Sequence, residues 1–331
     1  MKPFEYRRAH DVDGALSLMA ENPGAVFLGG GTNLVDRMKL GVVNPRMVVD
    51  VSRLPLDEVD VHADGGVRIG ATVRNSDLAA HPVIRSRYPM LARAILAGAS
   101  GQLRNTATTA GNLMQATRCA YYQDVTTPCN KRDPGSGCSA VDGYVRYHAI
   151  FGASDQCIAV HPSDMAVALT ALDAVVVVRD MDGEHRIPIT EFYRLPGDQP
   201  ERDTVLAPEQ LITAVELPAS VSAARSTYVK TRDRASFAFA LVSVAVDVKL
   251  ENGIIADARI ALGGVAHRPW RAYKTEDILR GSPPTEETFR QAATAELVDA
   301  TPQAGNAFKV PMARGVMVSA LRSITTDGAT R

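Results

Sequence analysis

The sequence predicts a mixed α+β protein in two unequal parts, and three observations carry that prediction. Strand-like runs of period two and helix-like runs of period near 3.6 both recur along the chain. At roughly 150 residues per domain, 331 residues suggest two domains or one large one. The texture also changes twice. Near residue 98 regular patterning gives way to a polar, glycine-rich stretch, and near 220–224 a soft boundary falls.

Residues 10–20 (HDVDGALSLMA) predict a short amphipathic helix, with Asp11 or Asp13 as its N-cap. Residues 25–28 predict a buried strand running into glycines, and 47–51 (MVVDV) predict another. Residues 66–73 (GVRIGATV) alternate as a strand, after which Asn75 or Ser76 can cap a short helix. Residues 90–97 predict a helix ending at Gly98. The stretch 98–163 is rich in Gly, Ser, Thr, Asn, Pro and Cys, and so long a non-periodic segment is usually organised by a function or a ligand. Regular structure resumes with a helix at 164–173, then strands at 174–179 (AVVVVR) and 211–217 (LITAVEL). Beyond the boundary, a long strand at 238–250, a turn at Asn252-Gly253 and a returning strand at 256–265 read as a hairpin. Helices follow at 275–279, 285–299 and 310–324.

Composition narrows the function. Hydrophobic residues at 46% and charged residues at 22% fit a globular chain rather than a disordered one. Lys+Arg at 36 against Asp+Glu at 37 leaves no basic field for nucleic acid or anionic lipid. No apolar run reaches the roughly 20 residues a membrane helix needs, and the opening MKPFEYRRAH has no continuous apolar core, so neither membrane insertion nor a signal peptide is expected. Neither H-E-x-x-H nor G-x-S-x-G occurs, which leaves zinc peptidase and serine hydrolase readings without support.

Three segments carry chemistry. The octet Phe27-Leu28-Gly29-Gly30-Gly31-Thr32-Asn33-Leu34 follows a strand. Consecutive glycines let the backbone turn sharply and bring N–H groups against a ligand, as a pyrophosphate nest requires. The dinucleotide fingerprint G-x-G-x-x-G fails, because Leu34 stands where its last glycine should. The octet alone fits a plain turn and a phosphate site equally well. A second polar loop, Arg104 to Leu113 (RNTATTAGNL), repeats threonine without charges to solvate it. Two such loops favour a large polar cofactor that spans both. The third segment holds all four cysteines, Cys119, Cys129, Cys138 and Cys157. Clustering favours a shared metal or cluster, although the tight C-x-x-C pairs of common zinc sites are absent and spacing alone does not name the metal.

Taken in order, GGGTNL, ATVRNSDL, LRNTATTAGNL and HPSDMAVALTALDAVVVV resemble the flavin-binding subunit of the xanthine dehydrogenase and aldehyde oxidoreductase family, the molybdenum hydroxylases. Within that family the chain is most similar to FAD subunits of bacterial periplasmic aldehyde oxidoreductases. The resemblance implies a vanillyl-alcohol-oxidase (PCMH)-type FAD-binding domain over 1–221, with an insert at about 115–160. A smaller α+β domain like that of the carbon monoxide dehydrogenase flavoprotein then covers 222–331. It further implies that Val26, Phe27, Leu28, Gly29, Gly30, Gly31, Thr32, Asn33 and Leu34 hold the FAD pyrophosphate. Thr109, Gly111 and Asn112 would meet the phosphate and ribityl region, and Asp164 would accept from a cofactor hydroxyl. Ile212 would pack on the isoalloxazine, and Lys230 would reach it. From the residues alone, Asp164 also fits an N-cap and Lys230 a solvated strand lysine.

The stretch PCNKRDPGSGC resembles the insert of the family subset that binds a [4Fe–4S] cluster, with the four cysteines as ligands. Lys131 and Arg132 would offset the thiolate charge, and Gly135 and Gly137 would let backbone N–H groups approach sulfur. A structural zinc site and free buried cysteines remain the alternatives. The implied function is electron transfer. Electrons from a partner's [2Fe–2S] clusters pass to FAD here and on to an external acceptor, while a molybdenum-cofactor large subunit oxidises the aldehyde. A stand-alone flavin oxidoreductase of the same fold is the alternative. The implied location is the periplasm, by co-export with a signal-bearing partner, with the cytoplasm as the alternative.

Overall fold

The computed structural model describes residues 1–219 and 225–326, so the boundary expected at 220–224 lies outside the described residues. Strands β1 (Glu5–Arg8), β2 (Ala25–Leu28) and β3 (Met47–Asp50) form a parallel sheet in the order β1-β3-β2. The connecting helix Val12–Glu21 buries Ala15, Leu16 and Met19 beneath it. Asp11 caps that helix by accepting from Gly14 N at 2.7 Å. The charged strand β1 (EYRR) has no apolar alternation, because it is an exposed sheet edge held by its parallel ladder to β3.

A second sheet is antiparallel. Strands β4 (Val59–Val61), β5 (Val67–Gly70), β6 (Val175–Asp180), β7 (Gly183–Pro188) and β8 (Leu211–Leu217) take the order β4-β5-β8-β6-β7. The non-periodic stretch lies between β5 and β6 and holds only short helices, such as Gly101–Arg104, Thr109–Leu113 and Ala120–Gln123, between loops.

The third sheet contains β9 (Ser226–Thr231), β10 (Val242–Glu251), β11 (Ile254–Gly263) and β12 (Trp270–Arg271), in the order β12-β11-β10-β9. Asn252 and Gly253 at the hairpin both have positive φ, 51° and 77°, as a tight hairpin turn requires. Val242, Val244, Val246 and Val248 alternate onto one face and share a core with residues of helices Glu286–Leu297 and Lys309–Thr325. Each such buried valine contributes about 1.5–3 kcal/mol. On the opposite face Ala245 and Ala261 join the N-terminal core. They pack where helix Asp164–Ala171 comes close: a Cβ on Gly263 would stand 2.5 Å from Val167 Cγ2. That helix is pressed between the N-terminal core and the third sheet, and all eight of its residues are buried. This explains why its sequence is apolar nearly all round. Among the described residues no helix is long and apolar enough to cross a membrane.

Candidate cofactor-binding cleft

The two glycine-bearing loops touch. A Cβ on Gly30 would lie 2.0 Å from the Thr106 carbonyl oxygen, so no other residue permits this approach. Gly31 turns through a positive φ of 73°, and helix Leu34–Lys39 starts directly after Asn33. Asn33 stands at the N-cap position without a capping hydrogen bond, because its Oδ1 accepts from Ala116 N at 3.0 Å. In the second loop, Thr108 Oγ1 accepts from Gly111 N at 3.1 Å and caps helix Thr109–Leu113. Asn112 Oδ1 accepts from Ser163 Oγ at 2.6 Å, which ties this loop to the start of helix Asp164–Ala171.

These segments wall a cleft of about 940 Å³. Gly31, Thr32, Asn33, Gly111, Asn112, Asp164 and Lys230 line it, drawn together from positions far apart in sequence. Val26, Phe27 and Leu28 lie in β2, and with Gly29, Gly30 and Leu34 they stand outside the lining. Thr109 is buried, with its hydroxyl donating to Val73 O at 3.1 Å. Ile212 belongs to the N-terminal hydrophobic core and does not line the cleft.

Asp164 and Lys230 differ from the plainest reading of the sequence. The cap of helix Asp164–Ala171 is Ser163, whose Oγ accepts from Ala166 N at 3.0 Å. Asp164 is the first helical residue, where the helix dipole favours its charge. Its Oδ1 accepts from Tyr228 Oη at 2.5 Å and its Oδ2 from Lys230 Nζ at 2.7 Å. Lys230 is not solvated: its side chain is 4% exposed, and it also donates to Ala97 O at 3.1 Å. Burial, reinforced by Asp164, pushes the Tyr228 phenol well above its usual range. Sequence reasoning missed Tyr228, which reaches Asp164 only across the packed domains. It also took Asn75 for a helix cap. The helix begins at Asn75 itself, and its buried Oδ1 faces the cleft wall without a protein partner.

The cysteine segment adjoins the cleft through Cys119, which lines it. Cys129 and Cys138 pair across an antiparallel bridge, and all four cysteines are free thiols. Burial, with smaller contributions from Cys129 and Cys138, pushes the Cys119 thiol up to about 11. Burial likewise pushes Cys157 to about 12, Cys138 and Cys119 adding to it and Lys131 opposing. The four sulfurs therefore share one electrostatic neighbourhood. Among the described residues no three His, Cys, Asp or Glu side chains converge as a single metal ion requires.

The neighbouring cations are otherwise engaged. Lys131 is buried and pairs with Asp203 and Pro200 O. Burial opposes ionisation of Asp203, but His267 and Lys131 together hold its carboxyl well below the usual range. Arg132 does not face the thiols: it donates to Tyr121 O at 3.0 Å, to Tyr122 O at 2.7 Å and to Thr127 O. Gly135 and Gly137 have φ of 87° and 99°, yet Gly137 N donates to Asn130 Oδ1 at 2.7 Å rather than to a sulfur. Tyr122 packs in a small core with Val42, Ala116 and Cys129.

Two family models cover the chain. The FAD binding domain in molybdopterin dehydrogenase matches residues 2–220. The CO dehydrogenase flavoprotein C-terminal domain matches residues 227–324. The aldehyde oxidoreductase FAD-binding subunit PaoB of Escherichia coli K12 is 48% identical over 323 residues, covering 97% of this chain and 98% of that one. The glyceraldehyde dehydrogenase medium chain of Sulfolobus acidocaldarius is 27% identical, covering 88% and 86%. Among solved structures, carbon monoxide dehydrogenase from Hydrogenophaga pseudoflava superposes with a TM-score of 0.77 at 25% identity, covering 98% of both chains. Quinoline 2-oxidoreductase from Pseudomonas putida 86 shares the fold, with a TM-score of 0.76 at 20% identity over 100% of both chains. The mixed sheet-and-helix architecture, the cleft between its loops and both family matches agree: this chain belongs to the FAD-binding subunits of the molybdenum hydroxylases.

Proposed function

We propose that this chain carries FAD in the cleft and acts as the electron-transfer subunit of an aldehyde-oxidising molybdenum enzyme. Its partners would be a molybdenum-cofactor large subunit and a small [2Fe–2S] subunit. The observation that carries the reading is the backbone contact at Gly30, which fixes two polar loops around a cavity large enough for a dinucleotide. The partnerless Asn75 Oδ1 in the cleft wall fits the group as well, since a buried acceptor calls for a donor. When bound, FAD supplies exchange between one-electron donors and one- or two-electron acceptors.

The chain's own residues bind and orient. Backbone N–H groups around Gly31 to Asn33 would face pyrophosphate oxygens. Asn112 is held by Ser163 and Gln115, which fixes its amide toward the cleft. The Asp164 carboxylate, with lone pairs left beyond those used by Tyr228 and Lys230, would accept from a hydroxyl. Lys230 pairs with Asp164 at the same wall and fixes the position of that carboxylate.

We further propose that Cys119, Cys129, Cys138 and Cys157 hold a [4Fe–4S] cluster. The donor set supports this: four buried or half-buried thiols lie in one segment, and two of them, Cys119 and Cys157, resist ionisation unless a cationic core offsets their charge. A periplasmic location, by co-export with a signal-bearing partner, completes the proposal, and cell fractionation decides it against the cytoplasm.

The test is anaerobic. In the assembled complex an aldehyde should bleach the flavin of this chain, whereas the isolated chain should show no aldehyde turnover. Turnover by the isolated chain would instead establish a stand-alone oxidoreductase. Iron and acid-labile sulfide analysis examines the cluster separately, and zinc without sulfide would remove it.

A further inference from the structure

The cleft and the cysteine segment share a wall, and His148 is part of it. His148 Nε2 lies 3.2 Å from Cys119 Sγ, and both residues line the cleft. The His148 side is 4% exposed. Among the described residues the sulfur is the ring's side-chain hydrogen-bond partner, and the ring also lies within reach of the Val145 backbone.

The other lobe of the molecule holds this residue in place. Lys309, on helix Lys309–Thr325, has 0% exposure, and its Nζ donates to His148 O and to Gly264 O, both at 2.8 Å. Asn306 Nδ2 donates to His148 O at 3.2 Å and to Ala149 O at 3.1 Å. Asn306 is itself fixed, its Oδ1 accepting from Gln303 N at 2.8 Å. On the far side Ala149 N donates to Ile158 O at 2.9 Å, next to Cys157. A wholly buried lysine is rare and costly. Here it is directed at the carbonyl of the histidine whose ring faces the Cys119 sulfur.

We infer that His148 is a positioning residue for the cysteine-held centre: its Nε2–H donates to the Cys119 sulfur, and Lys309 and Asn306 set that contact from the C-terminal lobe. The inference rests on the reading of the cysteines as cluster ligands. A ligated sulfur can only accept, which places the ring proton on Nε2. Such a donor draws charge off the sulfur and stabilises the more negative, reduced state, so it raises the reduction potential of the centre. Cys119 then becomes the ligand through which the cleft and the cluster sense each other. This also gives the C-terminal lobe a role in the electron path.

The experiment compares wild type, His148→Leu and His148→Gln in the anaerobically purified complex. Iron, sulfide and FAD contents and the EPR-monitored midpoint of the cluster are measured for each. The expected result is a lower midpoint in His148→Leu at unchanged FAD content, with His148→Gln, which keeps an amide donor, returning most of the way to wild type. Loss of iron in His148→Leu with retention in His148→Gln at a near-wild-type midpoint also supports the inference. A His148→Leu variant with full iron and an unshifted midpoint overturns it, as does a His148→Gln variant that behaves like His148→Leu. A wild-type complex that carries FAD but no iron and sulfide defeats the cluster reading itself, a result the metal analysis separates from the others.

Discussion

Gly30→Ala perturbs the contact on which the cleft is built. The new Cβ would stand 2.0 Å from Thr106 O, 2.8 Å from Thr106 C and 3.0 Å from Ala107 Cα. Non-bonded carbon and oxygen rest about 3.3 Å apart, so the two loops must separate by roughly 1 Å. All three obstructing atoms belong to the backbone, and no rotamer change relieves them. Overpacking of this kind costs about 1–3 kcal/mol. Amides moved that far also lose alignment with an anionic ligand, where each hydrogen bond is worth about 1.5–3 kcal/mol. The FAD dissociation constant should therefore rise at least ~10-fold, equivalent to about 1.4 kcal/mol. Titrating the flavin-free chain with FAD, followed by quenching of flavin fluorescence, reads this directly. Gly101→Ala is the matched control: it lies in a neighbouring short helix, and a Cβ there meets nothing within 4 Å. If Gly30→Ala and Gly101→Ala bind FAD equally well, the claim that loop-to-loop contact shapes the site is refuted.

Asp164→Asn should destabilise the chain by about 3–5 kcal/mol, because it strands the Lys230 cation, whose side chain is 4% exposed. In urea unfolding, the double variant Asp164→Asn/Lys230→Met should lose less than the sum of the two single variants, and simple additivity would speak against a coupled pair. Acid should weaken the fold through His161, whose imidazole is held down from 6.5 to about 4 by burial. The folded chain binds fewer protons than the unfolded one between those values, so this contribution is intact above about pH 6.5 and is lost as pH falls toward 4. At 1.36 kcal/mol per unit the loss reaches about 3 kcal/mol. His161→Gln should flatten the stability profile over that window, and a profile as steep as wild type would assign the acid sensitivity elsewhere. Cys138→Ser should abolish cluster iron and increase proteolysis within residues 119–157, whereas intact iron would exclude Cys138 as a ligand.

The sequence made some elements legible and hid others for physical reasons. Strand β2 is a continuous apolar run between glycines and β8 a mostly apolar run closed by Pro218, and the structure places them at Ala25–Leu28 and Leu211–Leu217 as expected. Strand β1 could not be seen, since EYRR carries no apolar alternation and is fixed by its partner strand. In the site, the glycine, threonine and asparagine loops were visible because backbone approach demands those residue types. Tyr228 and His148 were not, because each acts on a partner far away in sequence: Asp164 for one, Cys119 for the other. Arg132 shows the converse. Adjacency to Cys129 suggested that it balances the thiolates, but three backbone carbonyls within reach take the guanidinium instead.

The cleft between the two loops is proposed to hold FAD. Anaerobic purification of the chain, followed by its visible spectrum and extraction of bound flavin, tests it most directly. The wild-type protein should be coloured and release close to one FAD per chain, with Gly30→Ala releasing much less. A colourless wild-type chain that neither yields FAD nor takes it up would show that the cleft is not a flavin site.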